Sequence, residues 1–145
     1  MPKMLDRIKM MLQGEFPPPP IATLIGFKLT SVTSGEAVIE FEATERHANP
    51  MGTLHGGVLC DVADAAIGMA YASTLEEGET FTTLELKINF LKPVWNAKLR
   101  AVANVVSGGR TIGLVACDVR DYKERLVARA TSTCMTLRGQ EAGGR

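Results

Sequence analysis

The sequence predicts one α+β domain in which a curved antiparallel sheet wraps around a single long helix. Residues 56–75 are predicted to form that helix, and they are apolar nearly all round. A helix without a polar face is usually covered by other structure. The segments before and after it alternate apolar and polar residues with the period of β-strands. A sheet that curls around the helix accounts for both patterns.

The chain before the central helix contains a short helix and two strands. Residues 3–12 place their apolar side chains on one stripe, which predicts an amphipathic helix. A proline run at 17–20 follows and predicts a stiff linker, because proline lacks an N–H and restricts φ. Residues 25–32 predict a weak strand, and the alternation at 36–44 predicts a second strand with one buried face.

Four strand segments follow the helix. They are residues 84–90, 99–105, 111–119 and 126–137. Pro93 ends the first of them, and Ser107-Gly108-Gly109-Arg110 predicts a tight hairpin turn between the second and the third. We therefore expect an N-terminal helix and proline-rich linker at 1–20, a folded domain at 21–138 and a flexible tail at 139–145.

The composition is that of an ordinary globular domain. The 145 residues are 46% hydrophobic and 22% charged, with 16 basic and 16 acidic side chains. That balance argues against a nucleic-acid partner, which would call for excess positive charge. Three widely spaced cysteines, Cys60, Cys117 and Cys134, are expected to be small buried hydrophobes in a reducing compartment. Neither a signal peptide nor a membrane-spanning segment is recognisable, so we expect a cytoplasmic protein without a membrane partner.

Two aspartates lie inside the most apolar helix. An unpaired buried carboxylate is costly, so Asp61 and Asp64 each need a partner, a shifted pKa or a chemical task. Asp61 is closer to the helix N-terminus, where the helix dipole stabilises a negative charge. Asp64 lies two turns into the helix and is the stronger catalytic candidate. The structural alternative is a carboxylate held at a helix end or at a subunit contact.

The loop before this helix ends in Gly56-Gly57. Two glycines at a helix start leave the first N–H groups accessible, and such groups bind an anion, including the oxyanion formed when an ester or thioester carbonyl is attacked. The alternative is that the glycines only permit a tight turn. Gly56 and Asp64 are eight residues apart, roughly 12 Å along a helix, so one chain cannot easily supply both groups to one reacting atom. Two antiparallel copies of the helix could, which predicts a homodimer with sites at its interface.

The motif Asn49-x-x-Gly52-x-x-His55-Gly56-Gly57, with Asp64 nine residues after the histidine, resembles the hotdog-fold acyl-CoA thioesterases of the PaaI type. This family includes phenylacetate-pathway and 4-hydroxybenzoyl-CoA thioesterases, and the resemblance covers about residues 22–137. It implies a hotdog fold and hydrolysis of an acyl-CoA, including aryl or phenylacetyl types. It also implies that the Gly56 N–H polarises the thioester carbonyl. Asp64 of the other subunit would then attack the carbonyl or activate a water.

The resemblance implies supporting roles for further residues. Asn49 corresponds to an amide that orients the water or the leaving group, and His55 to a histidine that supports the loop or the thiolate sulfur. Thr83 corresponds to a hydroxyl that holds the catalytic water or carboxylate, although an ordinary strand threonine fits equally well. For His47 we expect a structural role.

Coenzyme A is expected only as part of the substrate, with no other cofactor and no metal. Gly57 is expected to contact the substrate, and Arg110 is the best candidate for the phosphates, ahead of Arg138 and Lys92, since a guanidinium matches phosphate geometry. The family implies a homo-oligomer, either a dimer or a tetramer built from paired dimers. Two alternatives keep the fold: a hydratase or dehydratase, and a non-catalytic acyl-CoA sensor or carrier.

Overall fold

The computed structural model describes residues 3–139. Its helices are α1 (Met4–Leu12), α2 (Pro20–Ile25) and α3 (Gly56–Ala72), with a short 3-10 helix at Glu45–His47. Its strands are β1 (Phe27–Thr33), β2 (Glu36–Ala43), β3 (Thr80–Phe90), β4 (Ala97–Gly108), β5 (Ile112–Asp121) and β6 (Leu126–Leu137). The strands form one antiparallel sheet in the order β1-β2-β4-β5-β6-β3. The predicted α+β architecture is confirmed.

The core lies between α3 and one face of this curved sheet. The helix contacts all six strands, and its sheet-facing side chains are fully buried: Val62, Ala63, Ala66, Ile67 and Ala70. Opposite them, small and branched side chains of the sheet are equally inaccessible, among them Ala101, Ala103, Val115 and Val119. Because alanine predominates on both sides, the helix axis can approach the strands closely.

The expectation that structure covers α3 on every side is only partly met. Its sheet-facing side is buried, but Gly57 and Asp64 are exposed and Asp61 and Gly68 only partly buried. The physical reason is that the sheet forms a single layer on one side of the helix, while α1 contributes to a cavity over part of the other. Asp64 is therefore not the buried carboxylate that the apolar sequence around it suggested.

Helix α2 was not predicted. Pro20, assigned to the linker, is its first residue, and Gly26 ends it with a φ of 96° in the left-handed region. Proline at a helix start and glycine just after its end are a recognised pair of signals, but six residues are too short to show helical periodicity. As a result β1 begins at Phe27, two residues later than expected.

Strand β3 is an edge of the sheet. Its apolar face is only half covered, because Leu84 and Phe90 are 52% and 54% exposed whereas Leu86 and Ile88 are partly buried. A bulge between Thr83 and Glu85 interrupts its pairing with β6. The strand predicted at 84–90 is present, but it begins four residues earlier, at Thr80. Alternation in a sequence does not reveal that an edge strand lacks a neighbour. The predicted tail lies, apart from Gly139, outside the described residues.

Candidate active site

The loop that leads into α3 is organised by Asn49. Its side-chain oxygen accepts hydrogen bonds from the backbone N–H of Met51 at 2.9 Å and of Thr53 at 3.1 Å. Its Nδ2 donates to the Thr53 hydroxyl at 2.8 Å. Gly52, at the tip, has a φ of 88°, a conformation that strongly favours glycine. Most of the hydrogen-bonding capacity of the Asn49 amide is therefore used to shape the loop.

His47 has the structural role that we expected for it. Its Nδ1 accepts from the backbone N–H of Thr44 at 3.1 Å, and its Nε2 lies 2.8 Å from the carbonyl oxygen of Ile25. Because Nδ1 is an acceptor, Nε2 carries the proton and donates to Ile25. The ring also packs edge-on against Phe41, with centroids 4.7 Å apart. Both ring nitrogens are engaged, so His47 ties the loop to the end of α2.

The N-terminus of α3 presents one accessible backbone donor. His55 is the N-cap residue, and its Nδ1 accepts the Gly57 N–H at 3.0 Å. Among residues 3–139, the Gly56 N–H has no hydrogen-bond partner. A Cβ on Gly56 would lie 2.9 Å from Cζ of Phe90, so any other residue here would require this exposed ring or the helix start to shift. The free N–H and the helix dipole together fit the predicted oxyanion site.

Gly56 and Asn49 line the same depression, a cavity of about 390 Å³. Phe90 and Lys92 also line it. Sequence reasoning placed Lys92 behind Arg110 as a phosphate ligand and gave Phe90 no role. The signal that could have identified both residues is the end of this strand, since Phe90 is the last residue of β3 and Lys92 directly precedes Pro93.

Asp64 and Thr83 both line a second cavity, of about 690 Å³. Asp61 lies beside them on its wall. Thr83 pairs with Cys134 across the β3–β6 ladder and directly precedes the bulge. Bulges commonly redirect side chains next to functional sites. Thr83 and Asp64 therefore line the same cavity within one chain.

The electrostatics of this cavity favour a basic carboxylate. Partial desolvation, with a further contribution from the negative charge of Asp61, raises the pKa of Asp64 above its ordinary value of 3.8. Within residues 3–139 no side chain or backbone group donates a hydrogen bond to this carboxylate. Burial and the same two aspartates raise the pKa of the Cys60 thiol, which opposes its use as a nucleophile. The chemically available group here is Asp64.

A single chain keeps its predicted catalytic groups in two places. Gly56, Gly57, His55 and Asn49 lie at the N-terminal end of α3, whereas Asp64 is two turns further along, roughly 12 Å by helical rise. Asp64 and Gly56 line different cavities. One protomer therefore does not bring its own oxyanion donor and its own carboxylate to one reacting atom.

Arg110 lies near the other end of α3. It lines a surface depression together with Tyr71, which belongs to the last turn of that helix. Arg138, beside it, donates to Glu79 at 2.7 Å and to the Arg110 carbonyl oxygen. Within one chain Arg110 is thus remote from Gly56. Among residues 3–139, no group of three or more histidine, cysteine or acidic side chains is arranged to hold a metal ion.

The chain belongs to the thioesterase superfamily, whose sequence model matches residues 51–128. A 1,4-dihydroxy-2-naphthoyl-CoA hydrolase of Listeria monocytogenes is 30% identical over 109 residues, which are 75% of this chain and 89% of that protein. Acyl-coenzyme A thioesterase 13 of Homo sapiens is 27% identical over 107 residues, 72% of this chain and 76% of that protein.

The solved structures agree with this assignment. A phenylacetic acid degradation-related protein from Ralstonia eutropha JMP134 superposes with a TM-score of 0.80 at 34% identity, covering 88% of this chain and 97% of the other. The hotdog fold and the thioesterase class, both implied by the motif around Gly56 and Asp64, are confirmed. Within residues 3–139, no helix has the length and hydrophobicity required to cross a bilayer.

Proposed function

We propose that this thioesterase hydrolyses acyl-CoA thioesters to a free acid and coenzyme A. The observation that carries the proposal is a pair of groups on α3 that have no hydrogen-bond partner within residues 3–139. They are the Gly56 N–H and the Asp64 carboxylate with its raised pKa. They are an oxyanion donor and a base, the two groups that thioester hydrolysis needs. The relatives from Listeria monocytogenes and Homo sapiens are both named for coenzyme A thioesters.

The reaction centre that we propose lies between two copies of the chain. Gly56 of one copy and Asp64 of the other would face the same thioester, which resolves the separation of these groups within one protomer. Antiparallel α3 helices provide this arrangement in a two-fold symmetric dimer. In such a pair the Arg110 end of one helix also approaches the Gly56 end of the other, where Arg110 could bind a coenzyme A phosphate.

The chemistry requires one proton acceptor and one oxyanion donor. As a general base, Asp64 takes a proton from water, the water oxygen bonds to the thioester carbon, and the carbonyl oxygen gains charge that the Gly56 N–H stabilises. Collapse breaks the C–S bond, and the thiolate recovers the proton. As a nucleophile, Asp64 forms an acyl anhydride that water then hydrolyses. Both routes need Asp64 ionised.

The remaining predicted residues support these two groups in the proposal. Asn49 shapes the loop that presents Gly56, and its second amide hydrogen is available to the water or leaving group. His55 caps α3 and occupies the Gly57 N–H, which leaves Gly56 as the donor. Thr83 lines the Asp64 cavity, and in the proposal its hydroxyl holds the water or the carboxylate. The use of His55 Nδ1 in capping weighs against a hydratase that would employ this nitrogen as its base.

The deciding experiment measures thiol release from short, long and aromatic acyl-CoAs by the native protein and by Asp64→Asn. We expect a fall of at least ~100-fold in kcat. Asp64→Asn keeps the size of the side chain, and its melting temperature should equal or exceed that of the native protein. A carboxyl whose pKa is raised in the folded state destabilises that state at neutral pH.

Asp6→Asn, in the exposed part of α1, serves as the matched control and should leave kcat unchanged. Full activity of a folded Asp64→Asn variant would exclude Asp64 from the chemistry. Tight acyl-CoA binding by native protein without any hydrolysis would favour a sensor or carrier instead.

A further inference from the structure

The cavity of about 690 Å³ beside Asp64 extends well beyond the reacting groups. It lies between α1, α2, β1 and the open side of α3. Its volume is in the range of small-molecule sites and is many times that of one water molecule, about 30 Å³. A two-carbon acyl group would leave most of this space unfilled.

The lining separates into a polar part and an apolar part. Asp61, Asp64 and Thr83 contribute polar groups from α3 and β3. Thr23 and Lys28, the other polar side chains of the lining, are exposed. The side chains that α1 contributes are all apolar, and we call them the α1 wall: Met4, Ile8, Met11 and Leu12.

An apolar α1 wall restricts which chemical groups the far end of a bound acyl group can carry. A ring hydroxyl or another polar terminus would lose its hydrogen bonds to water without replacement, which is costly. An aliphatic chain has no such group. Methionines at positions 4, 11 and 69 line the cavity, and their flexible, unbranched side chains adapt to chains of differing shape.

We propose that the α1 wall limits the length of the acyl chain, and that the substrates carry medium to long aliphatic acyl groups. The inference rests on the proposed function, since it has the acyl group extend from Asp64 towards α1. Ile8, 5% exposed, anchors the helix in the core, while Met4 and Met11 are only partly buried beside the cavity. Met11 is therefore a position at which the wall can be moved while Ile8 keeps the helix anchored.

The first test is the dependence of kcat/KM on chain length across straight-chain acyl-CoAs from acetyl to dodecanoyl, with phenylacetyl-CoA beside octanoyl-CoA. Each methylene that enters the cavity should raise kcat/KM about fourfold until the chain reaches the wall. Octanoyl-CoA should also exceed phenylacetyl-CoA. A flat profile, or an optimum at acetyl or phenylacetyl, would overturn the inference while leaving thioester hydrolysis established.

Two substitutions at one position move the wall in opposite directions. Met11→Trp should lower kcat/KM for dodecanoyl-CoA at least about tenfold and leave butyryl-CoA unchanged. Met11→Ala should move the optimum towards longer chains. Lys9→Trp, on the same helix but exposed and outside the cavity lining, is the control and should change neither substrate. Equal effects of the two Met11 variants on all chain lengths would contradict a wall at this position.

Binding measurements separate this inference from the proposed function. S-butyl-CoA and S-decyl-CoA are thioethers that cannot be hydrolysed. Calorimetry with these compounds therefore measures affinity for the cavity in the absence of a reaction. The decyl compound should bind more tightly than the butyl compound, and Met11→Trp should abolish this difference. That result supports the wall even if no acyl-CoA is hydrolysed, because only the proposed function would then fail. Equal affinity for both compounds would overturn the wall, whatever the hydrolysis assay shows.

Discussion

At the scale of single residues, the proposed chemistry depends on two like charges one turn apart. Asp61 and Asp64 are separated by three positions on α3 and line the same cavity. Side chains three positions apart on a helix are neighbours, so each charge disfavours the other. Together with desolvation, Asp61 thereby keeps the pKa of Asp64 above its ordinary value.

Removing the charge of Asp61 should shift the pH profile in a defined direction. Asp64 must be ionised to act, so kcat/KM falls as the pH drops through its pKa. Asp61→Asn removes a negative neighbour, lowers the pKa of Asp64 and moves the acid limb to lower pH. The measurement is kcat/KM across the acid range, with Asp6→Asn as the control that should not move the limb. A shift to higher pH would contradict this coupling.

The ring of Phe90 lies close to Gly56. In Gly56→Ala the new Cβ would lie 2.9 Å from Cζ of Phe90, so the ring or the helix start must move although the N–H is retained. We expect kcat/KM to fall about ten- to a hundredfold, as displaced catalytic groups usually cause. Adding Gly56→Ala to a Phe90→Ala variant should cost much less, because the ring is absent. Equal costs in both backgrounds would show that Phe90 is not the reason for glycine.

At the scale of secondary structure, the β5–β6 hairpin departs from ordinary backbone geometry. Asp121 closes the turn by accepting from the N–H groups of Lys123 and Arg125 at 2.9 and 3.0 Å. Glu124 has a φ of 63°, and no other non-glycine residue within 3–139 has a positive φ. A side chain in the left-handed region costs roughly 1 kcal/mol. The hairpin therefore tolerates a strained residue at this position.

Relieving this strain should stabilise the protein. Glu124→Gly is expected to raise the free energy of unfolding by up to ~1 kcal/mol, which corresponds to a melting temperature a few degrees higher. The neighbouring Lys123→Gly is the matched control. Its φ is not positive, so added flexibility of the unfolded chain should make it less stable. Thermal melts of both variants test the prediction, which a lower melting temperature of Glu124→Gly would refute.

At the scale of the whole molecule, the proposed site requires two chains. Asp64→Asn and Gly56→Val should each be inactive alone. A dimer with one chain of each kind contains one site that combines the Gly56 of the first chain with the Asp64 of the second. Co-refolding equal amounts should thus restore roughly a quarter of native activity, since about half of the dimers are mixed and each has one intact site.

Two controls make the complementation decisive. Each variant is also refolded alone, and a native-like circular dichroism spectrum shows that its inactivity is not caused by misfolding. A mixture of two variants in the same residue, Asp64→Asn with Asp64→Ala, should remain inactive because no combination rebuilds a site. No recovery in the first mixture, with mixed dimers demonstrated by mass spectrometry, would place Gly56 and Asp64 of one chain in the same site.

Much of the fold was predictable because it follows from local patterns. The alternation at 36–44 matches β2, whose inward residues Ala37, Ile39 and Phe41 are buried as expected, and β6 occupies the predicted Leu126–Leu137. Helix α2 was missed because six residues give no periodic signal. The exposure of Leu84 was missed because pairing partners in a sheet are far apart in sequence.

The candidate site, like the fold, could be predicted from the sequence only in part. The types and spacing of Gly56 and Asp64 along one helix follow from the sequence, since helical rise places them roughly 12 Å apart whatever surrounds them. Whether these groups are available does not follow from the sequence. The tertiary structure shows that the Gly56 N–H has no partner among residues 3–139 and that Phe90 packs against this glycine.

The class of fold, the central helix and the types of residue to which we assign the chemistry could be predicted from the sequence, because periodicity, helix rise and charge are local properties. Long-range packing leaves one side of α3 open and places α1 at a cavity beside Asp64. It also places Lys92, and not Arg110, in the same depression as Gly56 within one chain. These features depend on which distant segments pack together, and such packing arises from the summed burial of many side chains rather than from a motif.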